Sequence, residues 1–158
     1  MLRAGIEGGA MSGITITRAQ MDDLDVVEGL LEREQLLLDG LREHVDHLLV
    51  ARSGNRVIGC AGLEVYGDAG LLRSVAVDAE HRSSGAGSAL TRAALDEAAR
   101  SGIAVVYLFT KGAERFFPRF GFEIVDRADV PATVQSSVEF AHVRCAGAVV
   151  MRKILAAR

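Results

Sequence analysis

Arg82-Ser83-Ser84-Gly85-Ala86-Gly87-Ser88 is the stretch whose residue types and spacing point most directly to chemistry. It lies between an apolar run, Leu71 to Val77, and a segment of helical periodicity that begins at Gly85. A helix N-terminus presents N–H groups without intrahelical partners and the positive end of the peptide dipoles, so it suits a phosphate. Gly85 and Gly87 let backbone amides approach an anion closely, and Arg82 adds a forked, permanently charged donor. The competing reading is a helix cap whose glycines serve tight packing, and a bare Gly-x-Gly does not separate the two. Two better-known phosphate loops are excluded. No Gly-Lys-Ser/Thr closes the segment, and the dinucleotide fingerprint would need glycine at Leu90 and an acidic residue at Thr110.

Arg73 is the second chemical oddity. It interrupts the small and apolar run Leu71 to Val77, where a charge is costly unless it meets an anion. One reading has it grip a substrate carboxylate in a bidentate fork. The other pairs it internally with Glu64, which requires neighbouring strands. His44 and His47 lack the i, i+4 spacing and a nearby third ligand, so a metal is rejected. Cys60 and Cys145 lie in apolar surroundings that suit inert buried thiols.

The elements that must position these residues follow from periodicity. Met1 to Gly13 reads as a flexible leader within which Met11 could equally start the chain, and residues 14–158 as one domain. Ile14 to Thr17 alternates like a strand, and Leu24, Val27, Leu30 and Leu31 recur at helical spacing. Glu34 to His47 suggests a loop and a short helix. His47 to Arg52 and Arg56 to Tyr66 form a predicted hairpin across Ser53-Gly54-Asn55, and Leu71 to Val77 a third, central strand. A helix over Gly85 to Arg100 is closed by Gly102, with Leu90, Ala94 and Ala98 on its apolar stripe. Val105 to Thr110 is a buried strand parallel to the one before. A short helix over Gly112 to Phe120 and strands at Phe122 to Asp126 and Ala148 to Leu155 complete a mixed α/β sheet. The connection Arg127 to Gly147 is long enough to suggest function.

The 158 residues have room for one domain burying roughly 70% of its unfolded surface. Apolar (49%) and charged (25%) shares are those of a globular protein rather than a disordered one. A net charge of −3 offers no global attraction for nucleic acid, and no apolar run reaches the ~20 residues that span a bilayer. The first thirteen residues, with one arginine and four glycines, contain no continuous apolar block that reads as a secretory signal. Two cysteines fit a reduced cytoplasmic setting.

The arginine–x–x–glycine–x–glycine spacing at Arg82 to Gly87 resembles motif A of the GNAT N-acetyltransferases. So does the run Ala113-Glu114-Arg115-Phe116-Phe117-Pro118-Arg119-Phe120-Gly121-Phe122, which is similar to the family's later helix. The likeness covers Ile14 to Leu155. It implies a GNAT-type mixed, mostly antiparallel sheet with a parallel central strand pair flanked by helices. A narrower likeness, carried by Gly62-Leu63-Glu64, Leu71 to Val77, Asp129-Val130-Pro131 and Glu139-Phe140-Ala141, is to acetyltransferases associated with arsenic-resistance operons and to the acetyltransferase domain of N-acetylglutamate synthases.

The resemblance implies acetyl-coenzyme A as co-substrate, no metal, and a small amine acceptor such as an amino acid or a phosphinic or arsinic glutamate mimic. A homodimer is common in the family. The loop from Arg82 through Ser83, Ser84, Gly85, Ala86, Gly87 and Ser88 would cradle the pyrophosphate. The backbone of Val75, Ala76 and Val77 would pair with the pantetheine arm, and Thr110 would line the far side of the slot. Phe117 stands where many members have a tyrosine that protonates the departing thiolate, so here it shapes the slot. Glu64 is the candidate catalytic base, against a plain salt bridge at the sheet face. Arg73 and Ser74, with His142 and Arg144 from the long connection, are the candidate acceptor contacts. Two other functions remain open on this sequence: a non-catalytic coenzyme A-binding regulator, and an acetyltransferase of protein N-termini or lysines.

Overall fold

A computed structural model describes residues 13–142 and 147–155. In chain order these comprise β1 (Ile14–Arg18), α1 (Leu24–Arg33), β2 (Leu48–Ser53), β3 (Arg56–Tyr66), β4 (Ala69–Val77), α2 (Ala86–Arg100), β5 (Val105–Thr110), β6 (Glu123–Val125), α3 (Ala132–Gln135), α4 (Val138–Ala141) and β7 (Val149–Ile154). The strands make one sheet in the order β1-β2-β3-β4-β5-β7-β6. All neighbours are antiparallel except β4 and β5, the parallel pair that a crossover through α2 requires. The expected leader, apart from Gly13, lies outside the described residues, as do Arg144 and Cys145.

Strand alternation sends successive side chains to opposite faces, and both faces are covered. On one, Leu90, Ala94 and Ala98 of α2 pack on Ile58, Ala61, Leu63 and Val106. On the other, Leu24, Val27, Leu30 and Leu31 of α1 pack on Leu48, Val50 and Cys60. A third cluster joins Leu71, Tyr107 and Val150 to Val130 and Val134, so the long connection packs as well, with α3 and α4 inside it. α2 ends as expected, with the Ile103 N–H donating to the Ala98 carbonyl at 3.0 Å. No helix of the described residues is long and apolar enough to cross a membrane.

One expected element is shorter than predicted. Instead of a helix over Gly112 to Phe120 there is a 3-10 turn at Phe117–Phe120, because Pro118 cannot donate the backbone bond an earlier start would need. The predicted strands agree with the observed ones to within a few residues. The difference that matters is β4, which starts at Ala69 and contacts β5 only through Ala69, Gly70 and Leu71 against Val105, Val106 and Tyr107.

Candidate functional site

Past Leu71 and Tyr107 the two parallel strands separate, and a cavity of about 980 Å³ opens between them. A bulge shapes its β4 wall. Cys60 faces Ala76 and Gly62 faces Arg73, so Ala61 alone opposes both Ser74 and Val75. Ser74 takes a left-handed φ of 59°, a strained state for a residue with a side chain, and bulges of this kind turn backbone groups out of the ladder. Cys60 lies under this wall. Its Sγ–H donates to the Ser74 carbonyl at 3.2 Å, and burial pushes the thiol up to about 12, so it remains an inert thiol at neutral pH.

The α2 N-terminus forms the floor. Gly85 is its N-cap at φ 89°, a left-handed turn that glycine makes without strain. A Cβ at Gly87 would stand 3.6 Å from Val77 Cγ2 and 3.7 Å from Phe116 Cζ, inside the space the loop encloses. Of the loop, Arg82, Ser83, Gly85, Gly87 and Ser88 line the cavity, as do Val75, Ala76 and Val77 of β4 and Thr110 and Phe117 opposite. Ser84 and Ala86 instead build the turn. The Ser84 hydroxyl donates to the His81 carbonyl at 2.6 Å and accepts from the Ala86 N–H at 3.3 Å. Arg82 is ion-paired with Glu34 at the rim. Lys111 and Arg119, not singled out from the sequence, add positive charge around the opening. Amide donors, an unobstructed glycine turn and basic side chains at one end of an elongated slot fit the pyrophosphate and arm of coenzyme A.

At the other end stands a buried ionic cluster. Strand register makes Glu64 and Arg73 diagonal neighbours on one face, since Glu64 faces Leu71 and Gly62 faces Arg73. Arg73 Nη1 donates to Glu64 Oε2 at 2.8 Å and to the Asp39 carbonyl at 2.7 Å, Nη2 donates to the Leu37 carbonyl at 2.9 Å, and Nε donates to Ser74 Oγ at 3.1 Å. The internal pair weighed from the sequence is therefore present. Glu64, with a side chain 1% exposed, also accepts from the Tyr66 hydroxyl through Oε1 and has His44 Nε2 at 3.7 Å. Burial, then the bond to Glu64, raises the Tyr66 phenol above its ordinary range. Glu64 is absent from the cavity lining. Two carboxylates line it: Glu34, already paired with Arg82 at the rim, and Glu139 of α4, whose Oε2 lies 3.8 Å from Arg73 Nε at the cluster end. Burial pushes Glu139 up to about 7, with Arg73 pulling down and Glu64 pushing further up. His142 ends α4 outside the cavity lining.

The sequence signal for Tyr66 was available, two residues from Glu64 on one strand and hence on its face. None pointed to the Leu37 and Asp39 carbonyls, which act through the backbone.

A split parallel strand pair with an amide-lined helix start and a buried ionic cluster beside it defines a coenzyme A-dependent acyltransferase. The acetyltransferase (GNAT) domain model matches residues 44–124, just over half of the chain. The chain belongs to the GNAT acetyltransferase family. It is 28% identical over 127 residues to an amino-acid acetyltransferase of Pasteurella multocida, covering 74% of this chain and 29% of that protein, so it spans less than a third of that relative. Among solved structures, Rv2747 of Mycobacterium tuberculosis in complex with CoA and NLQ superposes with a TM-score of 0.78 at 26% identity, over 90% of this chain and 99% of that one. N-acetylglutamate synthase of Neisseria gonorrhoeae, complexed with coenzyme A and N-acetyl-glutamate, gives 0.78 at 21% identity over 91% of this chain and 35% of that one, a likeness of fold.

Proposed function

We propose that this chain moves the acetyl group of acetyl-coenzyme A to the primary amine of a small acceptor, an amino acid or glutamate-like analogue, by direct attack in a ternary complex. The observation that carries the reading is the slot between β4 and β5, with the N-terminus of α2 at one end and a buried ionic cluster at the other. In this reading the amides of the 82–88 loop and the Arg82 guanidinium hold the pyrophosphate, and the β4 backbone around the Ser74 bulge holds the arm and supplies an N–H to the carbonyl oxygen as it gains charge. One such donor is worth roughly 3 kcal/mol of barrier. Phe117 seals the thioester region without donating a proton. A thiol of pKa about 8.5 departs tolerably without an acid.

Arg73 serves here as a fixed positive charge under the acceptor site, braced by Glu64 and the Leu37 and Asp39 carbonyls. In this reading Ser74 lies beside the acceptor, and His142 and Arg144 are carried as further candidate contacts by the family resemblance alone. The small-molecule assignment is supported by the amino-acid acetyltransferase relative and the synthase fold. The two-cysteine composition supports a cytoplasmic setting. The test is a screen of amino acids, glutamate, and its phosphinic and arsinic analogues with acetyl-coenzyme A, following thiol release. Turnover of a free amino acid or analogue is expected. Activity on peptides with none on these compounds overturns the small-acceptor reading, and coenzyme A binding without turnover of any amine makes the chain a regulator instead.

A further inference from the structure

Two buried carboxylates share one guanidinium in this site, and they share it unequally. Glu64 holds the close contact with Arg73 and also accepts from Tyr66, while Glu139 is left with a separation of 3.8 Å. Glu64 is walled off from the cavity, and Glu139 faces it next to Arg73 and Ser74. Ser137 caps the helix that presents it by accepting from the Phe140 N–H at 3.1 Å, and Phe140 packs against the Phe109 ring with the Arg127 guanidinium over both rings. The carboxylate is thus held in place without being neutralised by a close partner.

Resting on the acetyltransferase reading above, we infer that Glu139 is the general base of the reaction, taking a proton from the acceptor's ammonium group before its nitrogen attacks. The step balances simply. One ammonium proton passes to a Glu139 oxygen and later to solvent, the nitrogen lone pair forms the C–N bond, the C–S bond breaks, and the second nitrogen proton goes to the departing thiolate through water. Glu64 becomes a positioning residue that fixes Arg73, in place of the base role first assigned to it. A carboxyl near 7 is well matched to an α-ammonium group near 8 at neutral pH, whereas an ordinary carboxylate would be too weak a base. Among the described residues, the charged and titratable groups that act on it are Arg73 from β4 and Glu64 and Tyr66 from β3; His44 sits behind Glu64, Arg127 lies over the neighbouring Phe140 ring, and His142 follows at the end of α4.

The experiment compares wild type with Glu139→Gln, which keeps the shape and loses the base. With an acceptor from the screen, the variant should bind coenzyme A within about twofold of wild type by calorimetry and lose a factor of about 10² to 10³ in kcat. The rise of kcat/KM through pH 7 should disappear. Glu139→Asp, which keeps a carboxylate, should keep that pH limb at a reduced rate. In carbon-detected NMR, the carboxyl resonance lost in Glu139→Gln should titrate near 7 in the wild-type complex with coenzyme A. A Gln variant with unchanged kcat and an intact acid limb overturns the inference, as does one that only raises KM, or a resonance titrating near 4.5. Wild type that acetylates no amine defeats the acetyltransferase reading and this inference together, which distinguishes the two failures.

Discussion

Arg73 illustrates how a buried charge is made tolerable. Its side chain is 2% exposed, and among the described residues it meets two carboxylates, two loop carbonyls and a hydroxyl. Removing a partner from such a pair typically costs 3–5 kcal/mol, because the remaining charge is stranded. Arg73→Lys keeps the charge but cannot span Ser74, Glu64 and both carbonyls at once. It should lower unfolding free energy in urea by about 2–4 kcal/mol and reduce kcat as well. Normal stability with only KM raised would show instead that the guanidinium grips substrate and contributes nothing to the fold. Glu139 gives the pH counterpart. Its carboxyl is raised from 4.5 to about 7, so the folded state holds a proton that the unfolded chain has released. Stability from this group is complete below about 4.5 and is lost as pH rises to 7. A shift of that size corresponds to about 3 kcal/mol at neutral pH. Wild type should therefore lose stability over that window relative to Glu139→Gln, and parallel curves would mean the carboxyl is not perturbed. The oddity of Arg73 was legible in the sequence because a lone charge inside an apolar strand stands out. Glu139 entered only as part of the Glu139-Phe140-Ala141 likeness and not as a site residue, since an acidic residue in a polar connection has no periodicity to mark it and its burial depends on a tertiary contact.

At the scale of elements, the 82–88 loop was read correctly as a helix start because glycine and periodicity signals are local. The turn at Phe117–Phe120 was overextended because Pro118 outweighs the helical tendency of the residues before it. The bulge at Ser74 was invisible, since nothing in Ser-Val-Ala announces an extra residue against β3. Gly87 tests the loop. The space around its built Cβ holds only ordinary contacts at 3.6 and 3.7 Å, so a side chain can be accommodated without unfolding α2. Gly87→Glu should keep its melting temperature within a few degrees. It should weaken coenzyme A binding more than tenfold by calorimetry, because it places a carboxylate on the amides that would meet the pyrophosphate. Wild-type affinity in a folded Gly87→Glu protein would mean the diphosphate lies elsewhere.

For the molecule as a whole, strand order is recoverable from the alternation of strands and helices, whereas the slot between β4 and β5 is expected only through the family resemblance and not from the residues themselves. Sequence gives the parallel crossover through α2, while the point at which the pair parts depends on the bulge and on β7, which pairs with β5 along its whole length from Val105 to Thr110. This arrangement holds β5 firmly from one side and leaves its other edge open beyond Tyr107, so the sheet itself contains a vacant strand position. A ligand arm that fills the position should complete hydrogen bonding there and nowhere else. Hydrogen exchange read by mass spectrometry should slow in peptides covering 73–77 and 85–88 when coenzyme A is added, with β2 at 48–53 unchanged because its two neighbours already satisfy it. Slowing spread evenly over the sheet would indicate general stabilisation by ligand. Slowing confined to 85–88 would leave the phosphates bound and the arm outside the slot, and would sever the helix-start site from the buried ionic cluster it is proposed to serve.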